Sequence, residues 1–96
     1  MGKEGALRAK AKAMVKKKGG VVLPLRGWLK GTPDALVIHE GRLILVEFKA
    51  PDGKLSPSQV ALHRQIRQAG VTVAVVRDIE AAEKLLGPIG GTQNKN

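Results

Sequence analysis

Apolar positions recur along the chain with two periods, and the change from one to the other outlines the elements. From Glu4 to about Lys17, Leu7, Ala11, Met14 and Val15 return at helical spacing in a segment otherwise rich in Ala and Lys, both good helix formers. Gly19-Gly20 stops that helix. Val21-Val22-Leu23 is a short strand limited by Pro24, and Arg26 to Pro33 is a loop. Ala35 to His39 forms a second strand, Glu40-Gly41 fits a tight hairpin turn, and Leu43 to Lys49 forms a third strand. The third strand is apolar on both faces until its end, which predicts a central place in the sheet.

After a loop from Ala50 to Lys54, Ser56-Pro57-Ser58-Gln59 starts a second helix, with Ser as N-cap, Pro at the first helical position and Gln at the third. It runs to about Ala69, with Leu62, Ile66 and Ala69 on one face, and Gly70 ends it. Val71 to Val76 is an apolar strand that this helix joins to the sheet as a crossover. Asp78 caps a last short helix through Leu86. The order α-β-β-β-α-β-α predicts an α/β fold, a mixed central sheet flanked by helices, in a single domain over residues 1–86. Residues 87–96, rich in Gly and polar residues, are expected to form a flexible C-terminal tail.

Composition narrows the chemistry. Ninety-six residues allow one domain, and so short a chain favours a dimer. The absence of Cys excludes disulfides, thiolate zinc sites and a Cys nucleophile. No apolar run approaches a membrane span, and the basic N-terminus lacks a signal-peptide core, so an intracellular, cytoplasmic protein is expected. Seventeen Lys and Arg against eight Asp and Glu give a net charge of +9. The excess is uneven: residues 1–30 hold nine basic residues and one acid, Glu4, whereas residues 31–96 hold eight and seven. Lysines among alanines can be a solvated helix face. Seven basic residues between Lys3 and Lys18 favour a phosphate-binding role, with Lys10, Lys12, Lys16 and Lys17 as the grip on a nucleic-acid backbone. The bulky apolar residues of this helix are too few for firm membrane insertion.

The near-neutral part holds the candidate chemistry. The hairpin sets the second and third strands antiparallel, so Asp34, before one, comes close to Glu47, near the end of the other. Glu47 and Lys49 are two apart and share a face. Charged groups at the end of so apolar a strand need partners. One explanation is a structural Glu–Lys–Asp ion-pair group. The other is a divalent cation held by Asp34, Glu47 and the Phe48 carbonyl, with Lys49 beside it. Mg²⁺ suits such oxygen donors and usually retains several waters.

Gly31-Thr32-Pro33-Asp34, twelve intervening residues, then Glu47-Phe48-Lys49 resembles the PD-(D/E)XK motif of the restriction-endonuclease-like nucleases. Within that superfamily the chain is similar to the VRR-Nuc family, the virus-type replication-repair nucleases. Gly19-Gly20, Glu47-Phe48-Lys49-Ala50-Pro51, Leu55-Ser56-Pro57-Ser58-Gln59 and Val73-Ala74-Val75-Val76-Arg77 carry the likeness, which runs from about Glu4 to Leu86. The resemblance implies Mg²⁺- or Mn²⁺-dependent hydrolysis of DNA phosphodiesters. It also implies likeness to stand-alone, phage-encoded homodimers that cut branched DNA such as four-way (Holliday) junctions, whereas members fused to other domains act in repair on flaps and crosslinks. On it, Asp34 and Glu47 match metal ligands, Lys49 the catalytic lysine, Gln59 a glutamine on the following helix, and Glu4 a first-helix acid that reaches the metal directly or through water.

Bland readings stand beside these. Gln59 can simply complete a capping box, and Glu4 can be a favourable acid at a helix start. His63 and His39 read as packing or structural residues. Arg77 can bind DNA or pair with Asp78 or Glu80. Trp28, between Arg26 and Lys30, reads as a core or interface residue before a base-stacking one. A non-catalytic nucleic-acid-binding module is the rival function, since it needs only the basic half.

Overall fold

The computed structural model describes residues 2–93 of the chain, with side chains through Gly87. Its elements are α1 (Lys3–Lys17), β1 (Val21–Pro24), β2 (Ala35–His39), β3 (Arg42–Phe48), α2 (Pro57–Gln68), β4 (Thr72–Val76) and α3 (Ile79–Gln93). The sheet has the order β1-β2-β3-β4. β1, β2 and β3 are antiparallel neighbours, and β4 returns parallel to β3 through the α2 crossover. The expected α-β-β-β-α-β-α order and mixed sheet are therefore present, with β3 interior.

The hairpin turn explains the tight link from β2 to β3. Glu40 and Gly41 both take positive φ, 48° and 79°, the conformation that two-residue hairpin turns require. From that turn the register runs His39↔Arg42 to Ala35↔Val46, so the next step along the pair brings Asp34 beside Glu47.

The two faces of the sheet differ. Ala35 and Val37 of β2, Ile44, Val46 and Phe48 of β3, and Val76 of β4 point to one face, where α1 supplies Leu7, Ala11 and Val15 and α3 supplies Ala82 and Leu86. This is the core. The α1 residues recur every fourth position, so one narrow stripe is buried while its lysines stay in water. On the other face α2 packs against β4. There Val21, Leu23 and Leu43 are exposed, with Leu36, Ile38 and Leu45 half-buried between them.

The last helix corrects one boundary. Its backbone continues to Gln93 rather than ending at Leu86. Glycine costs a helix interior only about 1 kcal/mol, so Gly87 need not end it. The remainder of the expected tail, residues 94–96, lies outside the described residues.

Candidate active site

Asp34 is delivered by a loop pinned at both ends. Gly31, at φ +91°, lies so close to α2 that a Cβ there would meet the Ser58 carbonyl oxygen at 2.5 Å. The Leu25 N–H donates to the Asp34 carbonyl at 2.8 Å. The Asp34 side chain then crosses to the end of β3, where Oδ2 accepts the Phe48 N–H at 2.8 Å. Pro33 and Asp34 are buried, which holds the carboxylate in place before any ligand arrives.

Glu47 alternates away from Val46 and Phe48 and is only 2% exposed. Its Oε2 accepts from Gln59 Nε2 at 3.0 Å and lies 3.8 Å from Lys49 Nζ. Its Oε1 is buried without a hydrogen-bond partner. Burial pushes the Glu47 carboxyl up to about 7, with the Asp34 carboxylate adding to the rise, Lys49 pulling it down, and Glu4 and Arg8 acting weakly in opposite senses.

Gln59 completes the capping box and also contacts Glu47. Its Oε1 accepts the Ser56 N–H at 2.8 Å while Ser56 Oγ accepts the Gln59 N–H at 3.1 Å, which completes the capping box. Its Nε2 is then free to hold Glu47. One side chain thus caps α2 and fixes the carboxylate facing it.

Glu4 reaches the site through a residue that sequence reasoning missed. Arg8 Nη2 donates to Glu4 Oε2 at 2.9 Å and lies 3.4 Å from Asp34 Oδ2. The guanidinium stands 5.8 Å from the centroid of the Phe48 ring. The available signal was the Glu4–Arg8 spacing, acid one helical turn before base.

The remaining candidates separate clearly. Lys10, Lys12, Lys16 and Lys17 are exposed on α1. His63 is fully buried, its pKa lowered first by burial and next by Arg67, with the Gly31 backbone opposing. His39 is also buried, and its Nε2 lies 3.2 Å from the Lys18 carbonyl. Arg77 pairs with neither Asp78 nor Glu80; it donates to the Ala50 and Gly53 carbonyls at 3.1 and 2.6 Å and ties down the loop after β3. Trp28 is 77% exposed, which overturns a core role: its loop folds toward α2 at Gly31, away from the packed face.

Among the described residues, no three His, Cys, Asp or Glu side chains cluster as a ready metal cage. The donors at hand are two buried carboxylates and main-chain oxygens, a set that suits a hard cation keeping its own waters. The unpartnered Oε1 of Glu47 and the burial that raises its pKa mark a carboxylate whose charge is costly without a cation beside it. The residues fit a divalent ion.

Fold and site layout together define a nuclease-type α/β domain. The VRR-NUC domain family matches residues 4–78. A solved structure described as a VRR_NUC domain is similar at 34% identity and a TM-score of 0.74, covering 88% of this chain and 95% of that one. No curated protein matches. The chain belongs to the VRR-NUC family and so carries a DNA-nuclease domain of a type that typically depends on divalent metal.

Proposed function

We propose that this protein is a Mg²⁺- or Mn²⁺-dependent endonuclease that hydrolyses phosphodiesters in branched DNA, acts as a homodimer and works inside the cell. One observation carries the reading: Gln59 and Lys49 hold one oxygen of the buried Glu47 carboxylate while its other oxygen has no partner, and Asp34 is fixed at the same end of β3 by the Phe48 N–H. Asp34, Glu47 and the Phe48 carbonyl would hold the ion, with Glu4 assisting directly or through water. When bound, the ion offsets phosphate charge and acidifies a bound water.

The protein groups do the rest. Lys49, held near Glu47, directs its ammonium toward the attacking water and the charge that builds on phosphorus-bound oxygens. Gln59 keeps Glu47 in one rotamer, and the N-terminal turn of α2 favours a phosphate nearby. Lys10, Lys12, Lys16 and Lys17 hold the DNA backbone from α1.

The open sheet face supports the second copy. Its strand partners Val21↔Ile38, Leu23↔Leu36, Leu36↔Leu45 and Ile38↔Leu43 are all aliphatic and only partly covered. An uncharged patch of this kind on so basic a chain is a site for protein rather than phosphate. Two copies bring two sites, as paired cuts in a branched duplex require. Among the described residues no helix is long and apolar enough to cross a membrane.

The test is a cleavage panel of labelled junction, flap, nicked and linear DNA with Mg²⁺, Mn²⁺ or EDTA, run with a sedimentation measurement. Asp34→Ala and Lys49→Ala should each lower cutting at least about 100-fold while DNA binding persists. Undiminished cutting by either variant overturns the reading. Folded protein that binds every substrate and cuts none makes Glu47–Lys49 and Arg8–Asp34 a structural ion-pair group in a DNA-binding module.

A further inference from the structure

Arg8 occupies an unusual position for a surface-helix arginine. One of its nitrogens, Nη2, contacts two carboxylates from different parts of the chain, at 2.9 Å to Glu4 and 3.4 Å to Asp34. Its side chain is only 27% exposed, and its Nε is buried without a hydrogen-bond partner. The guanidinium therefore spends its fork incompletely: one corner is used twice and another is idle. It also lies on the same Asp34 oxygen that accepts the Phe48 N–H.

A second place for the guanidinium lies beside the first. Arg8, Lys12 and Arg26 line a cavity of about 220 Å³ between α1 and the sheet, and Asp34 is at its wall. The rest of the lining is apolar and Lys12 and Arg26 stand at the exposed side, so three cations against one carboxylate can receive a phosphate oxygen once that carboxylate's charge is otherwise balanced. Arginine suits this change of partner because its fork matches carboxylate and phosphate alike.

We propose that Arg8 is an exchangeable counter-cation: it pairs Glu4 with Asp34 before a divalent ion binds and passes to a DNA backbone phosphate beside Lys12 and Arg26 when the ion takes those carboxylates. The inference rests on the proposed metal site and adds a consequence to it. Metal and DNA bind with positive coupling, because each releases Arg8 for the other, and the coupling is reciprocal. Arg8 is a positioning residue in this scheme and touches no reacting atom.

The test uses the whole chain and two binding measurements without catalysis. Mn²⁺ is titrated by calorimetry without DNA. Affinity for a four-way junction is then followed by fluorescence anisotropy at fixed ionic strength, in EDTA or in Ca²⁺, an oxygen-seeking ion of the same charge. In the parent chain Ca²⁺ should tighten DNA binding about fivefold or more, the low end of ordinary coupling between sites. Arg8→Met, which keeps an unbranched apolar stem and removes the guanidinium, should bind Mn²⁺ more tightly and lose most of the Ca²⁺-dependent gain. Arg8→Lys, which keeps the charge but not the fork, should recover part of it. Tighter Mn²⁺ binding with an unchanged gain makes Arg8 a fixed counter-charge and overturns the exchange. Mn²⁺ affinity unaltered by Arg8→Met overturns it as well and leaves the metal site standing. Absence of Mn²⁺ binding in the parent chain overturns the metal reading and this inference together.

Discussion

Two helices lend side chains to the carboxylate pair at the end of β3, α1 to Asp34 and α2 to Glu47, and they are held in opposite ways. The start of α2 is fixed locally: Ser56, Pro57 and Gln59 form a complete capping box within four residues. The start of α1 has Gly2 as its N-cap and no side-chain cap bond, and it reaches the site through the Arg8 bridge to Asp34, 26 positions away. α2 is therefore fixed at its start by its own residues, and α1 by contacts from distant parts of the chain. The difference divides the contacts: Gln59, which holds Glu47, sits on the locally determined helix, while the proposed grip on DNA sits on the helix that tertiary contacts orient.

The largest effect expected from this division concerns Glu47, the carboxylate that α2 holds. The Glu47 carboxyl is raised from an ordinary 4.5 to about 7. A raised folded-state pKa means the native state binds the proton more tightly than the unfolded chain, so this contribution to stability is fully present below 4.5 and is lost as pH rises through about 7. His63 acts in the other direction: its lowered pKa gives stability above 6.5 that is lost as pH falls. Glu47→Gln removes the first contribution and leaves the second. In EDTA at pH 8, the variant should resist denaturant better than the parent, by on the order of 2–3 kcal/mol. Mn²⁺ should narrow that gap by stabilising the parent alone. A less stable variant at pH 8 would mean that Lys49 and Gln59 already offset the burial of the charge.

Next in size is Gln59→Ala, which acts through orientation. It removes the amide that holds Glu47 Oε2 and should lower cleavage about 10- to 100-fold, the usual range for a group supporting a metal ligand. Single-turnover assays at saturating metal check this. If metal restores the full rate, α2 contributes affinity and not alignment.

Much of this was legible in the chain because it is local. The Ser-Pro-Ser-Gln signature marks both the start of α2 and its key side chain. The Glu40-Gly41 turn sets the register, and the register brings Asp34 to Glu47. Arg8 was hidden because its partners are Glu4, which looks like an ordinary helical neighbour, and Asp34, which only the packed fold brings near. Trp28 was misjudged toward the core because bulk argues for burial, whereas Gly31 docking on α2 carries its loop to the exposed side. The end of α3 escaped because glycine marks helix termini only by preference. For Arg8 and Trp28 the missing information was a contact between segments far apart in sequence.

The smallest effect is the sharpest test of the contrast, because it pairs one bond from each helix. Ser56→Ala removes the α2 cap and should cost about 1 kcal/mol in metal-free denaturation. Glu4→Gln removes the charge from a part-buried i,i+4 pair and should cost only about 0.3–0.5 kcal/mol, because Leu7, Ala11 and Val15 keep α1 seated. The functional order should also differ. Ser56→Ala frees the helix turn that carries Gln59, so its loss appears in the cleavage rate at saturating metal. Glu4→Gln leaves that turn intact, so its effect appears in metal affinity. Equal stability costs, or a rate defect in both, would mean that α1 and α2 are fastened alike and that the capping box does not set the position of Glu47.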